Sequence, residues 1–348
     1  MKLGLTAREH SGTIPCVRPH SVAINMPQDQ APKAVSFSGL LISLGVVSGG
    51  LAALATFAGF LGRLHWSLDL TSHFRVQYLV VQIIACLGLF ALRRRRLGLA
   101  LGAPGVLNVV LVAPFFLGAS TGSAGPAITV ALFNVSIENT QYHRVRQLIL
   151  AEEPDVVVLQ EVNALWLERL DALGQDYPHM IVEPRDSPFG IAILSRLPLL
   201  DGGVVTLGPA AGPSLWARLS VGVQTVTFLA VHPFPPIRRR GTELRNAQLA
   251  SISDFVSELR GHVVLVGDLN TTAWSPYFAD FLSTAGLRDG ARGHGLNATW
   301  PVSPFFLRIA LDHVLVSRGL TVTKYDVGLD FGSDHLPVFA TIGVHRIF

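Results

Sequence analysis

The chain has 348 residues, of which 49% are hydrophobic and only 15% are charged, and its mean hydropathy is +0.44. This composition is too apolar for an ordinary soluble domain and predicts membrane-spanning segments. Ten Lys/Arg stand against three Asp/Glu in residues 1–127, whereas seventeen stand against twenty-one in residues 128–348. The isoelectric point near 9.1 therefore belongs to the N-terminal third and is no indication of nucleic-acid binding.

Residues 1–35 are polar and are predicted to form a disordered, cytoplasmic N-terminus. Residues 36–118 contain three apolar stretches, at 37–61, 76–92 and 97–117. About 20 apolar residues cross a bilayer as a helix, so we expect three transmembrane helices here. Buried core helices are the alternative. Pro104 and Pro114 are expected to kink the third helix.

Four consecutive arginines, residues 93–96, separate the second stretch from the third. The positive-inside rule assigns this loop and the N-terminus to the cytoplasm. The third crossing then carries the chain out, so residues 128–348 are expected on the periplasmic or extracellular side of a multi-pass cell-membrane protein. Residues 119–127 include a run of Ser, Gly and Thr and are predicted to be a flexible linker.

From residue 128 onward, short apolar runs alternate with amphipathic segments. Strands are predicted at 128–133, 154–160, 190–194, 215–221, 225–231, 263–266, 309–316 and 336–342, and helices at 142–152, 164–173, 244–259 and 277–285. This alternation predicts one α/β domain, and taken alone it also allows a doubly wound sheet.

The stretch HVVLVGDLN, residues 262–270, carries the clearest chemical signal. Its apolar run predicts a buried strand that Gly267 ends. The two-residue period of a strand puts Asp268 and Asn270 on the same side. A carboxylate beside a carboxamide at a strand end is suited to hold an attacking water and a phosphoryl oxygen. An Asx turn that closes the strand is the alternative.

Polar residues recur where other predicted strands end. Asn134, Glu161 and His232 each follow an apolar run, and Asp334 and His335 lie in the loop that leads into the last strand. If the strands pack side by side, these ends meet at one edge, where functional sites are usually built.

Seven motifs occur in a fixed order along this part of the chain: FNV (133–135), LQEV (159–162), GIAILSR (190–196), VHPFPP (231–236), GDLN (267–270), LDHVLV (311–316) and GSDHLP (332–337). Together they resemble the endonuclease/exonuclease/phosphatase superfamily over residues 128–345. This group includes pancreatic deoxyribonuclease, apurinic endonucleases, sphingomyelinases and inositol polyphosphate phosphatases. The resemblance implies an α/β (α+β) four-layer sandwich of two mixed β-sheets flanked by helices, here of the membrane-anchored bacterial type with three preceding transmembrane helices.

The resemblance also implies a divalent metal site. Glu161 is expected to be the main carboxylate ligand of Mg²⁺ or Mn²⁺, with Asn134 and Asp334 completing or flanking that sphere. Mg²⁺ prefers oxygen ligands and keeps several waters, so a few protein ligands suffice.

The catalytic roles follow from the same resemblance. Asp268 would orient or deprotonate the attacking water, and Asn270 would hold a phosphoryl oxygen. His335 would act as base or phosphate donor, with Asp312 fixing its tautomer. His232 would donate to the phosphoryl group or to the leaving oxygen. Which of Asp268 and His335 is the base stays open at this level.

Two features bear on the substrate. Arg238, Arg239 and Arg240 follow VHPFPP directly and are candidates for phosphate binding, with a solvated loop as the alternative. Arg245 is a further substrate-binding candidate, with a local ion pair as its alternative. The apolar segment 300–307 is expected to touch the bilayer, to cover an apolar substrate or to pack on its own domain.

The sequence therefore predicts a membrane-anchored, divalent-metal-dependent phosphoesterase that hydrolyses a phosphodiester or pyrophosphate ester outside the cytoplasm. Because residues 128–348 are net acidic, a lipid-linked substrate is preferred over nucleic acid. Some three-span members are similar to teicoplanin-resistance factors thought to act on lipid carriers of wall synthesis. The alternatives are an extracytoplasmic endonuclease or exonuclease, and a non-catalytic membrane-attached binding module. No protein partner is inferred.

Overall fold

The computed structural model describes residues 36–118, 125–209 and 212–345. The predicted disordered N-terminus, residues 1–35, and residues 119–124 of the predicted linker lie outside the described residues. The first described part is helical: α1 (Phe37–Ala58), α2 (Trp66–Thr71), α3 (Arg75–Ala91), α4 (Arg95–Gly102) and α5 (Gly105–Val112).

Three segments of this region are long and apolar enough to cross a membrane, namely Phe37–Leu61, Trp66–Ala91 and Arg95–Phe115. The prediction of three such helices is confirmed. The third is interrupted between α4 and α5, where Pro104 directly precedes the first residue of α5. Proline lacks the N–H that a continuous helix needs, so the expected kink at this position appears as a break.

One buried polar side chain from each apolar segment meets the other two inside the helical region. The Nδ2 of Asn108 donates to Thr56 Oγ1 at 2.9 Å and to Gln82 Oε1 at 3.0 Å, and Gln82 Nε2 donates to Thr56 Oγ1 at 3.3 Å. Large apolar side chains on the outer faces are exposed, among them Leu44, Leu54, Ile84, Leu87 and Val110. This polar-inside, apolar-outside pattern is the one expected of helices that face lipid.

The rest of the described chain forms two six-stranded sheets with four α-helices. The strands are β1 (Ala127–Asn134), β2 (Val156–Gln160), β3 (His179–Glu183), β4 (Ile191–Ser195), β5 (Leu199–Thr206), β6 (Pro213–Val221), β7 (Gln224–Ala230), β8 (His262–Asp268), β9 (Leu287–Asp289), β10 (Asp312–Ser317), β11 (Leu320–Val327) and β12 (Val338–Val344). The helices are α6 (Tyr142–Glu152), α7 (Ala164–Leu170), α8 (Arg239–Glu258) and α9 (Pro276–Ala285).

Each sheet is mixed and has one parallel pair near its centre. The first sheet has the order β11-β12-β1-β2-β4-β3, and the second has the order β5-β6-β7-β8-β10-β9. β1 pairs with β2 in parallel, and β7 pairs with β8 in parallel, whereas their other neighbours are antiparallel. The carboxyl ends of these four central strands are where the predicted polar residues occur.

The layers follow from the two-residue period of the strands. In β1, Val130 and Leu132 belong to the core between the sheets, whereas Ala131 and Phe133 pack with residues of α6 and α7. In β8, Val264 and Val266 join the core between the sheets, and the intervening residues pack with α8 and α9. The result is a helix–sheet–sheet–helix sandwich, so the predicted four-layer fold is confirmed.

The four strands that the sequence does not predict are β3, β5, β9 and β11, and all of them are sheet edges. An edge strand is less buried than a central one, so it lacks the continuous apolar run that identifies the others. The burial of β5 illustrates this, because most of its residues are exposed. A second departure is that α8 begins at Arg239 instead of residue 244. Arg239 and Arg240 thus lie in the first helical turn and not in a loop.

Candidate active site

The central strands bring the predicted polar residues to one edge of the sandwich. Asn134 is the last residue of β1, Glu161 follows the last residue of β2, and Asp268 is the last residue of β8. Asp312 opens β10 directly opposite Asp268 in the antiparallel register. A cavity of about 420 Å³ opens at this edge, and the polar residues that line it include Glu161, His232, Asp268, Asn270, Asp334 and His335.

His335 in the cavity wall forms a buried pair with Asp312. Nδ1 of His335 lies 2.8 Å from Asp312 Oδ2, so the ring presents Nε2 toward Asp268, 3.7 Å from its Oδ2. Burial lowers the pKa of His335, but the charges of Asp312, Asp268 and Asp334 raise it more, to about 10. The ring of Trp300 lies 6.3 Å from that of His335. Asp312 thus orients the imidazole through this contact with Nδ1.

His232 approaches Asp268 from the other side, with its Nε2 3.6 Å from Asp268 Oδ2. Burial lowers the pKa of His232, yet the interaction with the nearby carboxylate of Asp268 outweighs this and raises it. Burial likewise raises the pKa of Asp268, but the two histidines lower it below its usual value. The site therefore keeps Asp268 as a carboxylate between two imidazoles.

Asp268 uses its two oxygens differently. Oδ1 accepts the backbone N–H of Asn270 at 2.8 Å, which is the Asx turn that the sequence offers as an alternative. Oδ2 faces the two histidines and the amide of Asn134, whose Nδ2 lies 3.4 Å away. Asn270 has a left-handed backbone with φ of 50°, and its Nδ2 donates to Pro233 O at 3.0 Å. The Asx turn at Asp268 and Asn270 is thus itself part of the site.

Glu161 is held at the cavity by two donors. Asn134 Nδ2 donates to its Oε1 at 3.1 Å, and the backbone N–H of Ile137 donates to its Oε2 at 3.2 Å. The backbone of Glu161 is left-handed, with φ of 64°, which is uncommon for a side chain with a Cβ, and such residues cluster at functional sites. Asn134 therefore supports Glu161 as a donor, and it would offer its own oxygen only if its amide turned over.

The donor set fits a hard divalent cation. Glu161 and Asp334 both bring carboxylate oxygens to the cavity, and Trp300 Nε1 fixes Asp334 by donating to its Oδ2 at 2.9 Å. Atoms of Asp268, Asp312 and His335 also lie within 4.8 Å of one another, but the His335–Asp312 hydrogen bond already occupies two of these groups. Mg²⁺ requires oxygen ligands and room for waters. Glu161 and Asp334 therefore fit the ion better than the group of Asp268, Asp312 and His335 does.

Two residues that sequence reasoning misses also build the site. Gln160, fully buried, donates through Nε2 to Val231 O at 2.7 Å and accepts Asp268 N–H at 3.0 Å. Ser333 donates to Asn134 O at 2.8 Å and accepts the N–H of His335 at 3.1 Å. Both lie inside the motifs LQEV and GSDHLP, next to the residues that the sequence does predict.

The predicted arginines do not line the cavity. Arg238, Arg239 and Arg240 are exposed, and Arg239 pairs with Glu243 at 2.8 Å one helical turn away. Arg245 is fully buried. Its guanidinium donates to Asp69 of α2 and, at 3.0 Å, to the backbone oxygen of Asn270. This burial corrects the expected substrate contact of Arg245, because the side chain supports the site from behind.

A four-layer sandwich whose edge gathers carboxylates, amides and two histidines defines a class of phosphoester hydrolases. The chain belongs to the Endonuclease/Exonuclease/phosphatase family, whose model matches residues 131–335, more than half of the chain. Among curated proteins, none matches it significantly.

Solved structures share this fold at low identity. An endonuclease/exonuclease/phosphatase family protein from Bacteroides thetaiotaomicron has a TM-score of 0.55 at 21% identity, covering 64% of this chain and 99% of that one. TDP2 from D. rerio, complexed with a single-strand DNA product, has a TM-score of 0.54 at 19% identity, covering 63% and 99%. Beta toxin from Staphylococcus aureus has a TM-score of 0.50 at 20% identity, covering 61% and 99%. At these identities the likeness establishes the fold alone.

Proposed function

We propose that the protein is a membrane-anchored, Mg²⁺- or Mn²⁺-dependent hydrolase of phosphodiester or pyrophosphate esters that acts outside the cytoplasm. The observation that carries this is the convergence of Glu161, Asp268, His232 and the His335–Asp312 pair on one cavity. Such a set combines a cation site, a carboxylate acceptor and imidazole donors, which are the parts that in-line displacement at phosphorus needs.

The bound cation would neutralise charge on the phosphoryl group. Asp268 Oδ2 would orient the attacking water and accept its proton, because this oxygen faces the cavity while Oδ1 closes the turn. His335, held through Nδ1 by Asp312, would donate from Nε2 to a phosphoryl oxygen. His232 would donate to the leaving oxygen, and Asn270 would hold a second phosphoryl oxygen.

The orientation in the membrane rests on α3. Its first turns contact the catalytic domain, since Gln77 Nε2 donates to Arg308 O at 2.9 Å. Residues 93–96, the arginine cluster, follow its other end, about 25 Å away for a helix of this length. Positive clusters favour the cytoplasmic side. We therefore assign the catalytic domain to the outer side and prefer a lipid-linked substrate over an aqueous one.

A chromogenic phosphodiester tests the chemistry. The purified full chain with Mg²⁺ is expected to release p-nitrophenol from bis-p-nitrophenyl phosphate, and EDTA is expected to abolish this activity. Glu161→Ala and His335→Ala should each lower kcat/KM by roughly 100-fold or more. The matched controls Glu168→Ala and His143→Ala change exposed residues and should retain full activity.

Assays of the same purified protein distinguish the proposed hydrolase from a binding module and from a nuclease. Absence of turnover with every divalent ion would favour the non-catalytic binding module. Supercoiled plasmid offered beside a lipid-linked pyrophosphate distinguishes the two enzymes. Nicking of the plasmid at an efficiency comparable to lipid hydrolysis would reassign the protein as an extracytoplasmic nuclease.

A further inference from the structure

One wall of the catalytic cavity comes from the helical N-terminal region. Leu70 and His73, from the junction of α2 and α3, line the same cavity as Asp268 and His335, and Phe74 lies beside them. All three residues of the junction precede the part of the chain that matches the family model, residues 131–335. The wall is therefore a property of this chain and not of the family fold.

Hydrogen bonds fix the junction to the catalytic domain. The buried carboxylate of Asp69 pairs with Arg245 through Oδ2 and accepts the hydroxyl of Ser275 at 2.7 Å through Oδ1. Eight residues further on, Gln77 donates to the backbone oxygen of Arg308. Contacts on both sides of Leu70 and Phe74 make them a fixed part of the cavity.

His73 supplies a polar atom to this wall. The side chain is 4% exposed, and its Nδ1 lies 3.0 Å from Thr272 Oγ1. Its Nε2 is buried and has no hydrogen-bond partner among the described residues. A buried polar atom without a partner is unfavourable. When Thr272 donates to Nδ1, Nε2 carries the ring proton, and a substrate oxygen in the cavity would accept it.

The other side chains around this wall are apolar, and the surface continues toward the membrane helices. Phe189, Pro235, Ile237 and Ile309 also line the cavity. Ile237 is 77% exposed, and Phe305 and Phe306 of the neighbouring segment are 76% and 62% exposed. The Gln77–Arg308 bond holds that segment beside the first turns of α3, at the end of a spanning helix. An exposed apolar rim at this position suits contact with lipid.

We propose that Leu70, His73 and Phe74 form a subsite for the hydrocarbon chain of an amphiphilic phosphoester that enters from the bilayer. The phosphoryl group would lie at Asp268 and His335, the chain would cover Leu70 and Phe74, and His73 Nε2 would bind an ester oxygen between them. This inference rests on the proposed function, because it names the substrate class of the same site.

Two p-nitrophenyl phosphodiesters that differ only in their second alkyl group, methyl or hexadecyl, test the subsite with the full chain in nanodiscs. Leu70→Gln and Phe74→Gln are expected to lower kcat/KM for the hexadecyl ester about tenfold or more, since each removes apolar contact. The methyl ester should stay near the wild-type value. Leu64→Gln is the matched control, because Leu64 is 75% exposed in the same connection and does not line the cavity. Equal losses on both esters, or no loss on either, would overturn the proposal.

His73 is tested by two substitutions that each keep one nitrogen. His73→Gln keeps an N–H near the position of Nε2, whereas His73→Asn keeps one near Nδ1 and its contact with Thr272. Because both esters carry the ester oxygen, His73→Asn should lower kcat/KM for both, and by more than His73→Gln does. The opposite order would make His73 a structural residue and remove it from the subsite.

Binding of an unreactive analogue distinguishes failure of the subsite from failure of the proposed function. If the wild-type chain hydrolyses neither ester, the proposed function fails. The subsite is then judged by binding of hexadecylphosphonate, which should be tighter to the wild type than to Leu70→Gln. Equal affinity would reject the subsite as well.

Discussion

Gln160 is the last residue of β2, and its side chain crosses from the first sheet to the second. Its amide satisfies the oxygen of Val231 and the N–H of Asp268, two backbone groups at the end of neighbouring parallel strands. Gly267 permits the close approach, since a Cβ there would lie 1.9 Å from Val231 O. The position of the Asp268 carboxylate therefore depends on a residue that has no chemical role.

Replacing Gln160 by Met tests this dependence. The substitution leaves two buried backbone groups without partners, which should cost about 2–4 kcal/mol, or roughly 5–15 °C in Tm for a domain of this size. Activity at a temperature where the variant is still folded should also fall, because Asp268 loses its support. Gln175→Met, at an exposed position, is the control. An unchanged Tm in both variants would contradict the role given to Gln160.

The sequence predicts the ionisable residues of the site but not the uncharged residues that hold them in position. Glu161, Asp268 and His335 are predictable because each belongs to a motif in a fixed order. Gln160 is adjacent to Glu161, yet its partners lie 71 and 108 positions further along the chain. A contact of that separation leaves no local pattern, so only the folded chain identifies it.

Among the helices, α2 connects the two parts of the protein. It has six residues, too few to be stable alone, and its Asp69 is buried against Arg245 of α8. Arg245 in turn donates to the backbone oxygen of Asn270 at 3.0 Å. The helical N-terminal region thus contacts the turn at Asn270 through one buried ion pair. The sequence predicts neither α2 nor this pair, because both depend on tertiary contacts.

Asp69→Asn should be strongly destabilising, because it leaves the Arg245 guanidinium buried without its anion. The expected loss is about 3–5 kcal/mol, together with a lower kcat from the altered support of Asn270. The double variant Asp69→Asn/Arg245→Met should recover part of the Tm. The comparison is Asp280→Asn, which breaks the exposed Arg63–Asp280 pair between the same two parts and should cost less than about 1 kcal/mol. Similar losses for Asp69→Asn and Asp280→Asn would show that burial of the first pair is unimportant.

The strands that the sequence predicts are the interior strands of the two sheets. The central strands β1, β2, β7 and β8 are buried along most of their length and coincide with the prediction to within a few residues. The edge strands alternate irregularly and are missed. The four-layer arrangement is predicted through the family resemblance of the motifs, since alternation of strands and helices alone also allows a doubly wound sheet.

For the whole molecule, the helical N-terminal region and the catalytic domain share one cavity. Asp69, His73 and Gln77 bond to residues of the catalytic domain, and Trp274 Nε1 donates to Leu111 O at 3.2 Å. These contacts gather at the ends of the apolar segments away from the arginine cluster at residues 93–96. The distribution of contacts and charge therefore defines two distinct sides, and the orientation proposed above makes them the outer and the cytoplasmic side.

Cysteine labelling in cells tests this orientation directly. In a background with Cys16 and Cys86 replaced, single cysteines are introduced as Ala250→Cys, exposed on α8, and as Ala91→Cys, at the end of α3 beside the arginines. A membrane-impermeant maleimide should label Ala250→Cys in intact cells and Ala91→Cys only after permeabilisation. The positive cluster is expected to remain in the cytoplasm because its translocation is unfavourable. The reverse labelling pattern would put the catalytic domain in the cytoplasm and exclude every extracytoplasmic substrate.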